Sequence, residues 1–523
     1  MSFKPHVEYT AMKATKSMFK LNAFMQSTGA RMDVRINIYK AFVRPHLEFG
    51  HAAWGTVSSL DALDRAQRTC LLKVTGCMSS TPTCSLEVLC NILPIRLRLQ
   101  EIRCHEYVRL NQIHAGHPLR SLLNSDHTSH IIRPINMMTM DIRDTPRRIN
   151  LHNIDEEPRH ELEHMGDQCI IKNIIEWDGL GNSKNRTAEQ AQRAVRVTSE
   201  FIQEIEDGVA IAFTDGSALG NPGPCGAGAV IYLDGIDSQP VLLRRPVSRR
   251  STSYHGELQA IELAIDFLCN CTKRYTGLCI LTDCQSALTT VTGMNQYNEH
   301  TSLVQEIARK SKILDDRGTP CAITWIAGHA GLNGNELADD CAKEAALETR
   351  DWTDVQLSAP LTFREVKQEI HSDIEARWQQ QWNIESKGRS LHEIQPAVTT
   401  KNYVSTTDFP IEKTLNRLKT GHSLLRNHTW KMKIPGVDGP ECRCGQNAET
   451  RSHIMLDCPL LSIQRDNLLD KIEQAFNAYG TALQDREITL ITLIGRTEHL
   501  SKELGQEIQE AVQEFLLAIP SRI

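Results

Sequence analysis

Four acidic residues, each in its own local context, constrain this chain more than any other feature. Asp215 lies in IAFTDGSALGNPG, Glu257 in SYHGELQAIELAI, Asp283 in LCILTDCQSAL and Asp339 in GNELADDCAKEAA. The chain holds 64 acidic residues, so placement rather than type carries the information. Val209–Ala218 is an apolar run ending in Asp-Gly-Ser, which reads as a buried strand with a carboxylate at its end. Residues 225–233 and 240–247 read as two further strands, and the Gly- and Pro-rich GNPGPCG reads as a turn. The period then changes. Leu258, Ile261, Leu263, Ala264, Ile265 and Leu268 recur at helical spacing over 254–269, which puts Glu257 in the first turn of an amphipathic helix. Residues 278–281 form a short apolar strand with Asp283 just past its end. A helical stretch, a strand over 321–327 and a helix over 333–346 carrying Asp339 complete the series. This order predicts a mixed α/β layout around one sheet.

Carboxylates held close together repel one another, and burial makes this worse. A buried cluster of them therefore calls for a cation. Oxygen-only ligands select hard ions, so Mg²⁺ is the expected metal, with Mn²⁺ able to replace it. Two such ions roughly 4 Å apart can activate a water and stabilise the leaving oxygen of a phosphodiester. Any one of the acids, taken alone, reads more readily as a cap or turn residue. Four in order within one domain-sized segment point to a metal site.

Residues 208–347 resemble a type-1 ribonuclease H domain. TDGS, the helical ELQA, TDCQSA and the run W-I-x-G-H-x-G-x-x-G-N-E-x-A-D match its motifs in order. The resemblance implies a ribonuclease H-like fold with a mixed five-stranded sheet and helices. It also implies two Mg²⁺ ions held by Asp215, Glu257, Asp283 and Asp339, and cleavage of the RNA strand of an RNA–DNA hybrid. His329 matches the loop histidine associated with proton transfer or product release. No matched catalytic position is substituted, so activity is expected. The segment after Asp283 departs from some relatives, because it carries no basic cluster to grip the hybrid. Asn221, Ser253 and Gln285 lie near the carboxylates in the pattern and read equally as donors to sugar or phosphate or as ordinary turn and cap residues. Arg244, Arg245, Arg249 and Arg250 form a basic group that reads either as a solvated face or as a phosphate contact.

The flanks narrow the reading. A net charge of −6 excludes a globally basic nucleic-acid binder, so backbone affinity has to come from local patches. Sixteen cysteines without a secretory signal suggest reduced thiols or metal ligands in an intracellular protein. No apolar run approaches membrane-spanning length. Helical patterns over 8–30, 33–49, 59–77 and 95–115 make residues 1–119 a mainly helical region. Within it, IYKAFVRPHLEFGHAAWG (38–55), LDRAQRTCLLKVTG (63–76) and LPIRLRLQEIR (93–103) resemble the thumb and connection of reverse transcriptases from non-LTR, Jockey-like retrotransposons. The residues before position 38 are too few for a polymerase palm, so reverse transcriptase activity is not expected. Leu337-Ala-Asp-Asp340 and Leu314-Asp-Asp316 imitate a polymerase turn, but both fall in helical patterns.

Residues 120–204 read as a largely irregular linker, 205–349 as the ribonuclease H domain, and 350–523 as a helical C-terminal region. In that last region Trp378 and Trp382 share a helix face, as core residues more often do than stacking platforms. Arg417, Lys419 and His422 read equally as nucleic-acid contacts or as helix-surface and cap residues. Cys442, Cys444, His453 and Cys458 follow the spacing C-x-C-x8-H-x4-C, which suits a tetrahedral structural Zn²⁺ knuckle. Retroelement polyproteins carry a similar cluster after their ribonuclease H domain. Helices near 485–494 and 500–518 end the reading. The whole resembles the C-terminal half of a retrotransposon polyprotein. The alternative function is a non-catalytic nucleic-acid-binding remnant.

Overall fold

A computed structural model describes residues 3–54, 60–113, 117, 170–173, 186–293, 301–352, 362–405, 407–479, 488–495 and 500–519. The chain divides into two compact units. One comprises Met1–Glu106, Thr128–Arg147 and Ile370–Ile523, the other Tyr107–His127 and Arg148–Glu369.

The second unit is built on a sheet of six strands: β1 (Ile170–Asn173), β2 (Val209–Ala218), β3 (Gly223–Tyr232), β4 (Val241–Ser251), β5 (Gly277–Thr282) and β6 (Cys321–Trp325). Their order is β1-β6-β5-β2-β3-β4. β1, β6, β5 and β2 run parallel, and β2-β3-β4 form an antiparallel meander. β2 to β6 are the five strands expected, and β1 is an added edge. Alternation along β2 sends Ala210 and Ala212 to one face and Ile211 and Phe213 to the other. On the first face the helix Ser253–Asn270 packs Leu258, Ile261, Ala264, Ile265 and Leu268 against Ala229, Ile231 and Ile280. On the second face Phe213, Val230 and Leu281 meet Leu332, Ala338 and Ile202.

Two differences from the sequence reading stand out here. β4 runs on to Ser251, through Pro246, instead of stopping near 247. An edge strand tolerates proline because one side of its ladder needs no N–H. The expected irregular linker lies largely outside the described residues. Inside them it contains β1 and a helix, Ala188–Gln203, opened by a capping box between Thr187 and Gln190. That helix buries Ala194, Thr198 and Ile202, so the segment supplies part of the domain's core.

The first unit is helical. Lys4–Ser27 packs with Asp61–Thr75, and Thr83–Cys90 adds a helix absent from the sequence reading. The helix expected over 33–49 is interrupted by a π-turn at Tyr39–Val43, just ahead of Pro45. Towards the C-terminus, Leu468, Ile472, Phe476, Leu493, Ile508 and Phe515 share a core with Cys442, Met455 and Cys458. Trp378 and Trp382 are both buried, and Trp382 Nε1 donates to the carbonyl of Gln395 at 3.0 Å, so they are packing residues. No helix among the described residues is long and apolar enough to cross a membrane. The described cysteines are all free thiols.

Candidate active site

Parallel pairing of β2 with β5 sets Thr214 beside Thr282. One residue further along each strand, Asp215 and Asp283 emerge side by side. Opposite them comes the first turn of the helix Ser253–Asn270, capped by the Thr252 hydroxyl, which accepts from the His255 N–H. This turn carries Glu257. Gly216 lets it come close: a Cβ there would sit 2.1 Å from the Glu257 nitrogen. The result is a set of three carboxylates, Asp215, Glu257 and Asp283, each offering an oxygen within 4.8 Å of the others.

Asp339 lies near Asp215 but stands outside that tight set. Its charge is one of those that raise the Asp215 carboxyl. It also accepts from Lys343 Nζ at 2.6 Å, one helical turn further along Asn333–Arg350. His329 is exposed on the loop after β6, in a left-handed conformation with φ +51°. It is near enough to Asp283 that a protonated imidazole there favours that carboxylate's ionised form.

Lys343 pairs with Asp339, and the other three carboxylates crowd one another. Burial, then the charges of Asp283 and Asp339, push Asp215 up to about 7. Burial and Asp215 push Glu257 well above the usual carboxylate range. Burial raises Asp283 as well. Glu257 Oε2 is buried and has no hydrogen-bond partner. A buried carboxylate oxygen left unpartnered is costly, and a hard cation among these oxygens would satisfy it. The donor set therefore fits Mg²⁺ or Mn²⁺.

Several residues that hold the site together were not singled out from sequence. Trp325 Nε1 donates to the Asp283 carbonyl at 2.8 Å. Buried Asn335 points Nδ2 at Asp283 Oδ2, 3.5 Å away, while its Oδ1 is unpartnered. Gly328 lies so close to Asp283 that a Cβ would fall 2.2 Å from Oδ2. The signal for Asn335 and Lys343 was present, since they sit four residues either side of Asp339 on one helix face. Asn221 and Gln285 are exposed and Ser253 is half-buried. The basic group is largely neutralised within the domain. Arg244 pairs with Glu344 and, at 2.9 Å, with Glu348. Arg245 pairs with Glu262, and Arg250 with Glu369 at 2.8 Å. These partners favour the face reading of the group over a phosphate contact. Leu337–Asp340 lies within the helix Asn333–Arg350, and Asp315 and Asp316 end the helix Thr301–Asp316, so neither forms a polymerase hairpin.

A second cluster forms in the helical unit. Cys442, Cys444, His453 and Cys458 each offer a ligand atom within 4.8 Å of the others. Cys442 and Cys458 sulfurs are 3.8 Å apart, and Cys444 Sγ lies 3.2 Å from His453 Nε2. A tetrahedron with Zn–S bonds of about 2.3 Å has sulfur corners about 3.8 Å apart. Burial pushes the Cys442 thiol up to about 12, whereas the Gln446 N–H helps bring Cys444 down to about 7. The cluster fits zinc. Arg417 is turned to its own unit, donating to the Gly76 carbonyl at 3.3 Å, and His422 Nδ1 meets Ser80 Oγ at 3.0 Å.

A mixed sheet whose strand ends and flanking helices converge carboxylates on one point defines the class of metal-dependent nucleases built on the ribonuclease H fold. Residues 207–347 match the family described as RNase H. A ribonuclease H from Francisella philomiragia is 31% identical over 149 residues, covering 26% of this chain and 91% of that enzyme. One from Jannaschia is 31% identical over 144 residues, covering 25% of this chain and 88% of that enzyme. Among solved structures, the RNase H1 of the halophilic archaeon Halobacterium salinarum shares 25% identity. That likeness covers 27% of this chain and 99% of the archaeal one, with a TM-score of 0.23. The chain belongs to the ribonuclease H family through this domain.

Proposed function

We propose that the protein is an endoribonuclease that hydrolyses the RNA strand of RNA–DNA hybrids, with Asp215, Glu257, Asp283 and Asp339 as the ligands of two Mg²⁺ ions. The observation that carries this is the carboxylate trio closing on a buried Glu257 with an unpartnered oxygen, inside a domain of the ribonuclease H family. Bound there, the ions would supply an activated water and offset charge on the leaving oxygen. The protein's part is to hold the oxygens in place before substrate arrives. Asp215 and Asp283 do so from adjoining strand ends, Glu257 from a capped helix turn, and Asp339 from a helix that also offers Lys343. His329, exposed beside Asp283, is suited to carry a proton between the site and solvent or to ease product departure. The ribose 2′-hydroxyl is the group by which such a site would tell RNA from DNA.

We further propose zinc at Cys442, Cys444, His453 and Cys458, and an origin in a retrotransposon polyprotein. The origin rests on the resemblance of 38–55, 63–76 and 93–103 to thumb and connection segments, with a Cys/His cluster after the ribonuclease H domain. No polymerase activity is proposed.

The test uses a labelled RNA–DNA hybrid and a double-stranded RNA, each with and without Mg²⁺, against the intact chain and Asp215→Asn. Metal-dependent cleavage of the hybrid alone, lost in the variant, is expected. An intact chain that leaves the hybrid whole in Mg²⁺ sinks the enzymatic reading, and equal cleavage of both duplexes sinks the hybrid specificity.

A further inference from the structure

A buried polar chain enters the ribonuclease H domain from outside its matched boundaries. Thr362 and Glu365 lie beyond residue 347, where the family match ends. They form a capping box at the start of the helix Phe363–Ile384. The Thr362 N–H and hydroxyl donate to Glu365 Oε2 at 2.8 and 3.0 Å, and the Glu365 N–H donates to Thr362 Oγ1 at 3.2 Å. Capping occupies Oε2. The other oxygen, Oε1, accepts from the Ser251 hydroxyl at the end of β4. Ser251 Oγ is in turn 2.8 Å from His255 Nδ1.

Ser251, His255 and Glu365 are 0%, 2% and 3% exposed, so water does not compete for these bonds. A serine hydroxyl has a single hydrogen. Because that hydrogen goes to Glu365, Oγ is left to accept, and His255 Nδ1 carries the donated hydrogen. The bonds therefore run in one direction, from His255 through Ser251 to Glu365. His255 is two residues before Glu257, in the same helical turn. Gly256 between them rests against β2 and β3, where a Cβ would fall 2.7 Å from the Gly226 carbonyl and 2.9 Å from Gly216 Cα. A second link, Arg250 to Glu369 at 2.8 Å, ties the same two segments together.

We infer that Glu365 is a positioning residue for the Glu257 carboxylate, acting through Ser251 and His255 to fix the first turn of its helix from a segment outside the family domain. The inference rests on Glu257 being a metal ligand of the reaction proposed above. Groups that orient a ligand in this way typically change metal affinity or activity by about 10- to 100-fold when removed. A cap, by contrast, affects its own helix.

The two roles separate by substitution in the full-length chain. Ser251→Ala breaks the link and leaves the capping box whole. Thr362→Ala weakens the cap and leaves Glu365 bonded to Ser251. Both are compared with the unsubstituted chain for kcat and KM on a hybrid, and for Mn²⁺ affinity by calorimetry without substrate. Ser251→Ala is expected to lower kcat and Mn²⁺ affinity by about tenfold each, with KM within about twofold. Thr362→Ala is expected to keep all three within about twofold while melting earlier. Ser251→Ala matching the unsubstituted chain in kcat and Mn²⁺ affinity overturns the inference. So does an equal loss in both variants that tracks their melting temperatures. If the unsubstituted chain fails to cut the hybrid, the catalytic reading falls, and the Mn²⁺ affinities alone decide whether the link positions Glu257.

Discussion

Asp215 concentrates the energetic problem of the site. Its carboxyl sits near 7 because burial and then the neighbouring Asp283 and Asp339 disfavour its charge, whereas the ordinary value is 3.8. Between about pH 4 and 7 the metal-free folded chain therefore keeps a proton that the unfolded chain has released. Raising pH through that window costs stability, at roughly 1.4 kcal/mol for each pH unit crossed and up to about 4 kcal/mol in all. Denaturant melts in EDTA at pH 5 and pH 8 should show a larger loss in the natural chain than in Asp215→Asn, where the raised Glu257 and Glu87 carboxyls still contribute. The same variant should lose activity by about a thousandfold or more, because one carboxylate of the cluster is gone. Parallel pH profiles for the two proteins would refute the account of the cluster. His329 is a lesser case. His329→Ala should lower kcat by about 10- to 100-fold and leave Mn²⁺ affinity nearly unchanged, as measured by steady-state kinetics and calorimetry. At this scale the sequence was highly legible where a residue's flanks state its setting. An apolar run before Asp215 and Asp283, and helical spacing after Glu257, locate those acids. It was silent where function depends on what lies opposite in space. Nothing in the flanks of Ser251 says that Glu365, over a hundred positions later, accepts its hydrogen.

Elements whose periodicity is unbroken were read nearly to their ends, as with β2, β5 and the helix carrying Glu257. Those that failed have physical reasons. Thr83–Cys90 is only eight residues and apolar on most sides, so it offers no stripe to count. Ala188–Gln203 lies in polar sequence and is committed to helix by its capping box and by burying Ala194, Thr198 and Ile202. The short helix also holds an element-level prediction. Its Glu87 accepts from Gln67 Nε2 at 2.9 Å, and Gln67 Oε1 accepts from the Tyr39 hydroxyl at 2.9 Å, which joins three helical segments through one buried network. Burial pushes the Glu87 carboxyl up to about 8 against an ordinary 4.5. The folded chain then holds a proton that the unfolded chain gives up above about pH 4.5. Stability falls as pH rises from there through 8. Glu87→Gln keeps an acceptor for Gln67 and cannot ionise. It should be more stable than the natural chain at pH 9, by on the order of 2–4 kcal/mol, and gain little at pH 5. A gain of equal size at both pH values would show that packing, not charge, is what the substitution changes.

At the scale of the whole molecule, two cores carrying different sets of candidate metal ligands share one chain. The carboxylate site is set in the unit that includes Arg148–Glu369, and the Cys/His cluster in the unit that includes Ile370–Ile523. Units with separate cores need not unfold together. Calorimetry is therefore expected to resolve two transitions, each answering to its own ion. Mg²⁺ at about a hundred times its dissociation constant adds about 2.7 kcal/mol to the unit that binds it, a rise of roughly 5–10 °C for a unit of this size. That rise should appear in one transition only, and vanish in Asp215→Asn. Chelating zinc, or replacing Cys442 and Cys458 by serine, should lower the other transition, because those thiols lie in the core with Leu468, Ile472 and Phe476. The pH effects divide the same way, with Asp215 governing the Mg²⁺-sensitive transition and Glu87 the zinc-sensitive one. The cysteine variant should still cut the hybrid below its first transition, since no carboxylate ligand belongs to that unit. A single transition that moves with both ions would show that the two cores fold as one, and loss of cleavage in a still-folded cysteine variant would make the zinc cluster part of the catalytic machinery.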